Sequence, residues 1–439
     1  MDARVARQRQ DDAESSMVAL DGLPPLAFLC HPLHRGGVTR WMVDAALAWS
    51  RRGGSCWFVA PHLRGQLARS AQREEVVDLI RSEPGSSGVR VVTRSVGEGF
   101  LFGTHSNRVY QYAELLRSGV PLSVPVVLSD DEDVWSAGVR LGERNPAIGV
   151  LHSDETKYYD LARKHSAKLR ALVAVSRRVA ASAQPSAGRL QIAAIACGIP
   201  LAAPSFSRRA STATARLVWV GRIEERQKRV SDLVRIVAAL HDCGAPVELH
   251  IIGDGPDRHA LEQLARDRNV RHALTMHGWQ SRHRVRELVE QCDLLILPSN
   301  FEGMPLAVME ALAAGVGVIA SRTSGIEDVA DSTLSAGCFW TYRAGDVAAA
   351  VESVKTALSV PLEERRRRAT KFAGAEFDIN RCVERYRDLL ISLPNFTSRD
   401  SAPARWRVQL AACASYPLSL WRIRSLRSSA HNDHEQKNV

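Results

Sequence analysis

The sequence lacks several features that would assign a protein to a class at once. Its eight cysteines lie far apart, so no two have the spacing of a metal-binding or redox motif. Several fall inside apolar segments, which indicates buried thiols in a reducing compartment. No apolar run reaches the roughly 18 residues of a membrane-spanning helix. Residues 1–22 have no apolar core, so we expect a disordered N-terminus and not a signal peptide.

The composition is that of a globular protein. Of its 439 residues, 45% are hydrophobic and 24% are charged, which is enough for two domains with full cores. The net charge of +10 is compatible with anionic partners. Because the arginines are spread along the chain, we expect no nucleic-acid partner. The cysteine pattern, together with the lack of a signal peptide and of a membrane-spanning run, predicts a cytoplasmic location.

Short apolar runs alternate with helical patterns from residue 26 onward, which predicts parallel sheets built from βαβ units. In the first half, the predicted strands are Leu26–Cys30, Cys56–Ala60, Val89–Val92, Val124–Leu128, Ile148–Leu151, Leu172–Val175 and Gln191–Ala194. In the second half, they are Leu217–Val220, Val247–Ile252, Leu274–Met276, Leu294–Leu297 and Val316–Ala320.

These patterns predict two doubly wound, Rossmann-like domains, 23–203 and 215–375, that face a cleft. The stretch 204–214 is rich in Ser, Thr, Ala and Arg, which is typical of a linker. Residues 376–395 are predicted to form a helix that crosses back to the first domain.

The basic tail, residues 396–439, carries seven Lys or Arg against three Asp or Glu. One interpretation is peripheral contact with an anionic membrane at its inner face. The other, which we favour, is that Trp406 and Trp421 pack on the body of the protein and the end is disordered.

The helix predicted over Pro305–Ala314 is apolar almost all round, and Glu310 is its only charged residue. A lone buried carboxylate is costly unless something pairs with it. The hydroxyls of a ligand such as a ribose would satisfy it, and so would a salt bridge to a distant arginine. The helix alone leaves these two interpretations equal.

Glu302 and Gly303 lie just before this helix, in a predicted strand-to-helix loop. The N–H groups of Gly303, Met304 and Leu306 are expected to face the cleft, where helix starts bind phosphate. Gly303 also lets a ligand approach closely. Taken alone, Glu302 is more simply explained as a partner of the helix dipole.

Arg222 ends the first strand of the second domain, and Lys228 opens the next helix. Two cations at a strand end can hold a diphosphate without a metal and stabilise the charge on a departing nucleotide. The alternative is a pair of solvated charges.

Two features of the first domain also point to the cleft. Gly36 and Gly37 suit a backbone wrapped around a phosphate or a sugar, although a plain tight turn is common there. His152 follows a predicted strand and would face the cleft in a parallel sheet. A lone histidine is nevertheless more often structural than functional.

Over residues 26–392 the chain resembles family 4 of the retaining glycosyltransferases, the glycosyl transferases group 1, which have the two-domain α/β GT-B fold. The signature of that family is two glutamates separated by seven residues, which here are Glu302 and Glu310. The other matching segments are Val220-Gly221-Arg222 with Lys228, Gly253-Asp254-Gly255-Pro256, and His277-Gly278-Trp279.

The resemblance implies a retaining hexosyltransferase that uses a nucleotide-diphosphate-sugar as a substrate and needs neither a metal nor a cofactor. It implies that Glu302 holds the donor sugar, that Arg222 and Lys228 bind the diphosphate, and that Glu310 binds the ribose. The remaining implied donor contacts are Gly303, Met304, Pro305, Leu306, Gly36, Gly37, Gly278 and Trp279. His152 is placed near the acceptor, which would be a glycan or lipid-linked molecule of polysaccharide or glycoconjugate biosynthesis.

The acidic segment Asp130–Asp133 forms no metal-binding triplet and is predicted to be a surface loop. A nucleotide-sugar epimerase or a phosphorylase on the same fold remains an alternative, although we identify no lysine for pyridoxal phosphate. A dehydrogenase is disfavoured because Gly253 and Gly255 lack the third glycine of the dinucleotide motif. A catalytically silent sugar-nucleotide-binding protein would be expected to have lost one of the four charged site residues, and all four are present.

Overall fold

The structure, a computed structural model, describes residues 22–33, 36–64, 75–97, 99–129, 131–188, 190–201 and 214–393. The predicted N-terminal segment apart from Gly22, the predicted linker apart from Thr214, and the basic tail lie outside these residues. No helix in the described ranges is both long and apolar enough to cross a membrane.

The first domain is built on a parallel sheet whose strands are β1 (Leu26–Leu29), β2 (Cys56–Val59), β4 (Val89–Val92), β6 (Val126–Leu128), β7 (Ala147–Leu151), β8 (Ala171–Ala174) and β9 (Ile192–Ala194). The strand order is β4-β2-β1-β6-β7-β8-β9. Strands β3 (His62–Arg64) and β5 (Ser95–Gly97) pair separately. The central strands are continuous runs of apolar residues because helices cover both faces of the sheet.

The helices of this domain are α1 (Gly37–Arg51), α2 (Val76–Ser82), α3 (Gly99–Phe102), α4 (His105–Gly119), α5 (Glu132–Arg140), α6 (Thr156–His165) and α7 (Arg177–Ala187). Within the acidic segment predicted to be a surface loop, Asp131 precedes α5, and Glu132 and Asp133 are its first two residues. The Asp131 side chain accepts the amides of Asp133 and Val134 and so caps that helix. Asp133 is largely buried and pairs with Arg108.

The second domain repeats the plan with β10 (Ala215–Val220), β11 (Val247–Ile252), β12 (Leu274–Gly278), β13 (Leu294–Leu297), β14 (Gly317–Ser321) and β15 (Phe339–Tyr342). These strands are parallel, in the order β12-β11-β10-β13-β14-β15. The helices are α8 (Glu225–Lys228), α9 (Val230–Asp242), α10 (Arg258–Asp267), α11 (Arg282–Glu290), α12 (Leu306–Ala313), α13 (Ser324–Ala330), α14 (Val347–Ser359), α15 (Leu362–Glu376) and α16 (Ile379–Ser392). The prediction of two doubly wound domains is therefore confirmed, with β15 as an additional edge strand.

The order of the strands decides where a ligand can bind. In each sheet the first strand lies in the middle, with β1 between β2 and β6, and β10 between β11 and β13. The connections leave such a strand in opposite directions, and the crevice at this switch point is the usual binding site. The Gly36-Gly37 turn follows β1, the Arg222 loop follows β10, and the Glu302 loop follows β13.

The last helix returns to the first domain, as the sequence predicts. Tyr386 of α16 packs its ring on Trp41 of α1, with the ring centres 5.8 Å apart. Arg52 Nη1 lies 2.9 Å from Glu384 Oε1. The two domains are thus joined by packing on the side of α1 that faces α16.

Two glycines of the Gly-Asp-Gly-Pro turn let neighbouring loops of the second domain meet. A Cβ on Gly253 would lie 1.8 Å from the carbonyl oxygen of Gly221, and one on Gly255 would lie 2.2 Å from that of Ile223. No side chain fits at either position. This turn therefore sets the path of the backbone on both sides of Arg222.

Candidate active site

Glu302 lies in the loop between β13 and α12, and it is 5% exposed. Its Oε1 accepts hydrogen bonds from Lys228 Nζ and from Ser299 Oγ, each at 2.6 Å. Its carbonyl oxygen accepts a hydrogen bond from Ser324 Oγ at 2.7 Å. The carboxylate is therefore fixed on one cation and one hydroxyl, and its role is not that of a free helix-dipole partner.

Lys228 reaches Glu302 because its short helix, α8, is tied to the same loop. The Asn300 amide donates to the carbonyl oxygen of Gln227 at 2.8 Å, and Asn300 Nδ2 donates to that of Arg226 at 2.9 Å. Arg229 then takes a left-handed conformation, with φ of 47°, before α9 begins. These contacts place the ammonium group at the edge where β10 and β13 end.

Gly303 is the point where the loop of the second domain touches the first domain. A Cβ at this position would lie 1.9 Å from the carbonyl oxygen of His152, at the end of β7. The carbonyl oxygen of Gly303 would in turn lie 1.5 Å from a Cβ on Gly325. The glycine is thus required by packing between backbones on two sides.

The first domain lines the cleft opposite this loop. His152 is 9% exposed and meets the Trp41 ring edge-on, with 5.3 Å between ring centres. A Cβ on Gly37 would lie 3.4 Å from two side-chain atoms of Leu306, the first residue of α12. The structure therefore brings the predicted residues Gly37, His152, Gly303 and Leu306 to one interdomain contact.

Glu310 lies on α12 and keeps 30% of its side chain exposed. Its Oε1 is 3.5 Å from Arg282 Nη2, so a distant arginine is indeed present, as one of the two sequence interpretations required. Burial raises the pKa of Glu310 above its ordinary value, and the nearby Asp44 carboxylate raises it further, while Arg282 opposes both effects. The arginine does not saturate the carboxylate, because the ion pair is long.

The other predicted residues of the second domain follow the ends of its strands. Arg222 has 64% of its side chain exposed, and its nearest recorded ion pair is a loose one with Glu224 at 3.8 Å. Gly278 ends β12 with φ of 65°, and Trp279 after it is 54% exposed. Met304 and Pro305 are buried beside Gly303. Lys228 is therefore fixed by Glu302, whereas Arg222 is exposed.

Two residues of this region, Arg282 and Asp44, were not predicted as site residues from the sequence. Arg282 Nη1 donates to Asp44 Oδ1 of α1 at 3.1 Å, across the cleft. Asp44 is the only acidic residue of α1 and stands in the apolar stretch Trp41–Leu47, which is the same signal that marked Glu310. Arg282 has no such signal, because arginines also occupy positions 284 and 286.

The site offers cations to a ligand more readily than it offers ligands to a metal. Glu302 and Glu310 each face a basic side chain. Among the described residues, the group with possible metal-ligand geometry is His62, Glu75 and Asp78, whose ligand atoms lie within 4.8 Å of one another. None of these three is a predicted site residue.

The buried ion pair predicts an asymmetric response to mutation. Lys228→Met should lower the free energy of unfolding by about 3–5 kcal/mol, because it leaves the Glu302 carboxylate buried without its cation. The double variant Lys228→Met with Glu302→Gln should recover part of that loss. Urea denaturation of the single and double variants measures both effects.

The exposed Arg222 provides the matched control for this experiment. Arg222→Met should change stability by no more than about 0.5 kcal/mol. Equal losses in Lys228→Met and Arg222→Met, or no recovery in the double variant, would contradict the account of the ion pair.

Residues 205–374 match the model of the family described as glycosyl transferases group 1. The chain is 33% identical over 139 residues to the lipopolysaccharide 1,6-galactosyltransferase of Escherichia coli K12, covering 31% of this chain and 37% of that protein. It is 30% identical over 195 residues to a glycogen synthase of Mycobacterium tuberculosis, covering 44% and 46%. The chain thus spans less than half the length of these curated relatives.

Solved structures resemble a larger part of the chain. The lipopolysaccharide outer core galactosyltransferase WaaB in its apo form covers 84% of this chain and 99% of its own, with a TM-score of 0.59 and 18% identity. Anabaena HepE in complex with UDP-glucose covers 84% and 100%, with a TM-score of 0.63 and 15% identity. Residues 205–374 are thus similar to the glycosyl transferases group 1, and the two domains of the chain have the GT-B fold of these solved structures.

Proposed function

We propose that the protein is a retaining glycosyltransferase that moves a sugar from a nucleotide-diphosphate-sugar to a glycan or lipid-linked acceptor. The observation that carries this proposal is a pair of carboxylates around the start of α12. Glu302 precedes the helix and binds Lys228, and Glu310 lies within the helix. They lie at the switch point of the second sheet, against the first domain. A cleft of this kind can hold a diphosphate and present it to a second substrate.

In this proposal the donor lies along the start of α12. Glu310 accepts hydrogen bonds from the ribose hydroxyls. Its carboxylate oxygens can do so because the contact with Arg282 is long. The amides of Gly303, Met304 and Leu306 supply N–H groups to the phosphates and the sugar, where the helix dipole favours negative charge. Gly278 and Trp279 lie at the β12 end of the same edge and contact the nucleobase.

The cations account for departure of the nucleotide. Negative charge grows on the diphosphate as the bond to the sugar breaks, and a fixed cation stabilises that charge. Lys228 is already fixed by Glu302, and the exposed Arg222 is available to reach the phosphates. No step proposed here needs a metal or a resident cofactor, and Glu302 holds the donor sugar while it orients Lys228.

The acceptor is proposed to bind from the first domain, beside His152. The backbone of His152 touches Gly303, so this strand end lies close to the place assigned to the donor sugar. The relatives of the chain include enzymes named for lipopolysaccharide and for colanic acid biosynthesis. We extend that class of acceptor, a cell-surface glycan or its lipid-linked precursor, to this protein, together with a cytoplasmic location.

The proposal predicts nucleotide-sugar binding that depends on Glu310. In a calorimetric screen of UDP-, GDP- and ADP-sugars, at least one should bind the wild type, and UDP-glucose is tested first because HepE is complexed with it. Glu310→Ala should weaken that binding by about 10- to 100-fold, since hydrogen bonds to a charged group contribute about 1.5–3 kcal/mol.

Glu287→Ala is the matched control, because Glu287 lies on α11 and pairs with Arg284 and His283 away from the cleft. It should bind the donor as the wild type does. The proposal is wrong if no nucleotide sugar binds, or if Glu310→Ala binds unchanged. Release of nucleoside diphosphate on addition of an acceptor separates a transferase from a silent binding protein.

Donor affinity should also depend on pH through Glu310. The pKa of this carboxyl is raised by burial, so the group takes up a proton at a higher pH than an ordinary glutamate. A protonated Glu310 loses acceptor capacity, and binding should weaken as the pH is lowered from neutral toward the raised pKa of this group. A nucleotide sugar is the right probe, because a free diphosphate itself titrates in this range.

Glu310→Gln removes the titrating group and provides the comparison. Its affinity should be weaker at neutral pH and nearly independent of pH over the same range. If wild type and Glu310→Gln change in parallel with pH, another group is responsible.

A further inference from the structure

One guanidinium spans the cleft between the two domains. Arg282 opens α11 in the second domain. Its Nη1 donates to Asp44 Oδ1 of the first domain at 3.1 Å. Its Nη2 lies 3.5 Å from Glu310 Oε1 on the second domain. The Arg282 side chain thus connects Glu310, the carboxylate assigned to the ribose, with Asp44 of the first domain.

The two contacts of Arg282 differ in strength. The contact with Asp44 is a hydrogen-bonded ion pair, whereas the ion pair with Glu310, at 3.5 Å, is at the outer limit of hydrogen-bond distance. In the structure, Arg282 is therefore bound mainly to Asp44. The Glu310 carboxylate keeps room for other hydrogen-bond donors.

Asp44 is a fixed partner. Its side chain is 2% exposed, and its Oδ1 also accepts Arg40 Nη2 at 2.6 Å. Arg40 is held in turn by Glu83, also at 2.6 Å. Because Arg40 is shared between Asp44 and Glu83, these three residues keep a net negative charge, which attracts the Arg282 guanidinium. Asp44 can therefore compete with Glu310 for Arg282 only while the domains are close together.

We infer that Arg282 is a positioning residue that makes Glu310 available to the ribose only when the domains close. When the domains separate, Asp44 moves away with α1, and Arg282 pairs fully with Glu310. When they close, Asp44 draws Arg282 off Glu310, and the freed oxygens accept the ribose hydroxyls. The inference rests on the proposed function, since it assumes that Glu310 binds the ribose.

The position of Arg282 on its helix distinguishes it from its neighbours. Arg284 pairs with Glu287 on the same helix and has 50% of its side chain exposed. Arg286 pairs with Glu290 in the same way. Neither spans the cleft in the structure, so Arg284→Met is a matched control of equal charge change.

The inference predicts an unusual rescue in a double-mutant cycle. The probe is whichever of UDP, GDP and ADP binds the wild type most tightly. Asp44→Asn should weaken its binding by about 10-fold or more, because Arg282 then stays paired with Glu310. Arg282→Met should bind at least as tightly as the wild type. The double variant should match Arg282→Met within about threefold. Titration calorimetry measures all three, with Arg284→Met expected to equal the wild type.

A second readout uses the 2′,3′-dideoxy form of the same nucleotide. Without ribose hydroxyls there is no competition for Glu310, so Asp44→Asn should bind this probe as the wild type does. A merely structural effect of Asp44→Asn would weaken both nucleotides alike. If Asp44→Asn fails to fold, Arg282→Met still decides between the two possibilities. If Arg282 only bridged the domains, its loss would weaken nucleotide binding, whereas our inference predicts binding at least as tight as in the wild type.

Three outcomes would overturn the inference. They are weaker binding in Arg282→Met, no rescue in the double variant, and an equal loss of ribo- and dideoxynucleotide binding in Asp44→Asn. Failure of the wild type to bind any of the three nucleotides would overturn the proposed function as well. Binding without rescue would overturn the inference alone.

Discussion

The ion pair between Lys228 and Glu302 holds together the part of the second domain on which the site depends. It joins α8, which follows β10, to the loop that follows β13. Both partners are largely buried, so neither charge is tolerated without the other. Asn300 strengthens the link through hydrogen bonds to the backbone of α8. The start of α12, and with it the place of Glu310, follows from this connection.

Backbone contacts then bring the two domains together around that loop. Gly303 packs on the carbonyl oxygen of His152, and Gly37 approaches Leu306. At these points the domains touch without intervening polar side chains, which leaves the charged groups to line the rest of the cleft. Arg282 contacts Asp44 across the cleft as well as Glu310, so the charge of the first domain influences the Glu310 carboxylate. In our proposal, this contact links domain closure to donor binding.

Most of the fold could be predicted from the sequence, because strands such as β1, β6, β8 and β13 are buried on two faces and consist of apolar residues only. Strand β15 was missed since it is an edge strand whose residues Phe339–Tyr342 mix aromatic and polar side chains with partial burial. The three-residue strands β3 and β5 carry too few residues for any period to be visible. The segment around Asp131 was mistaken for a loop, although an aspartate at such a position caps a helix.

The individual site residues were also visible, but their partners were not. Glu302, Glu310 and Lys228 were candidates from the sequence, but the ion pair between Lys228 and Glu302 was not predicted, and Arg282 is one among many basic residues. Which of those residues meets which carboxylate depends on how the loops after β10, β12 and β13 converge. Asp44 carried the same signal as Glu310, a lone carboxylate in a mostly apolar segment, and only the packing of α1 against the second domain shows that it binds Arg282.

The central claim is that a nucleotide-activated donor binds between the Lys228–Glu302 pair and Glu310. Hydrogen exchange of the whole protein, measured with and without a saturating nucleotide sugar, tests it most directly. The account predicts slower exchange in the amides of residues 220–229 and 299–313, with a smaller effect at the end of β7. Protection confined to other segments, with these two unchanged, would contradict it.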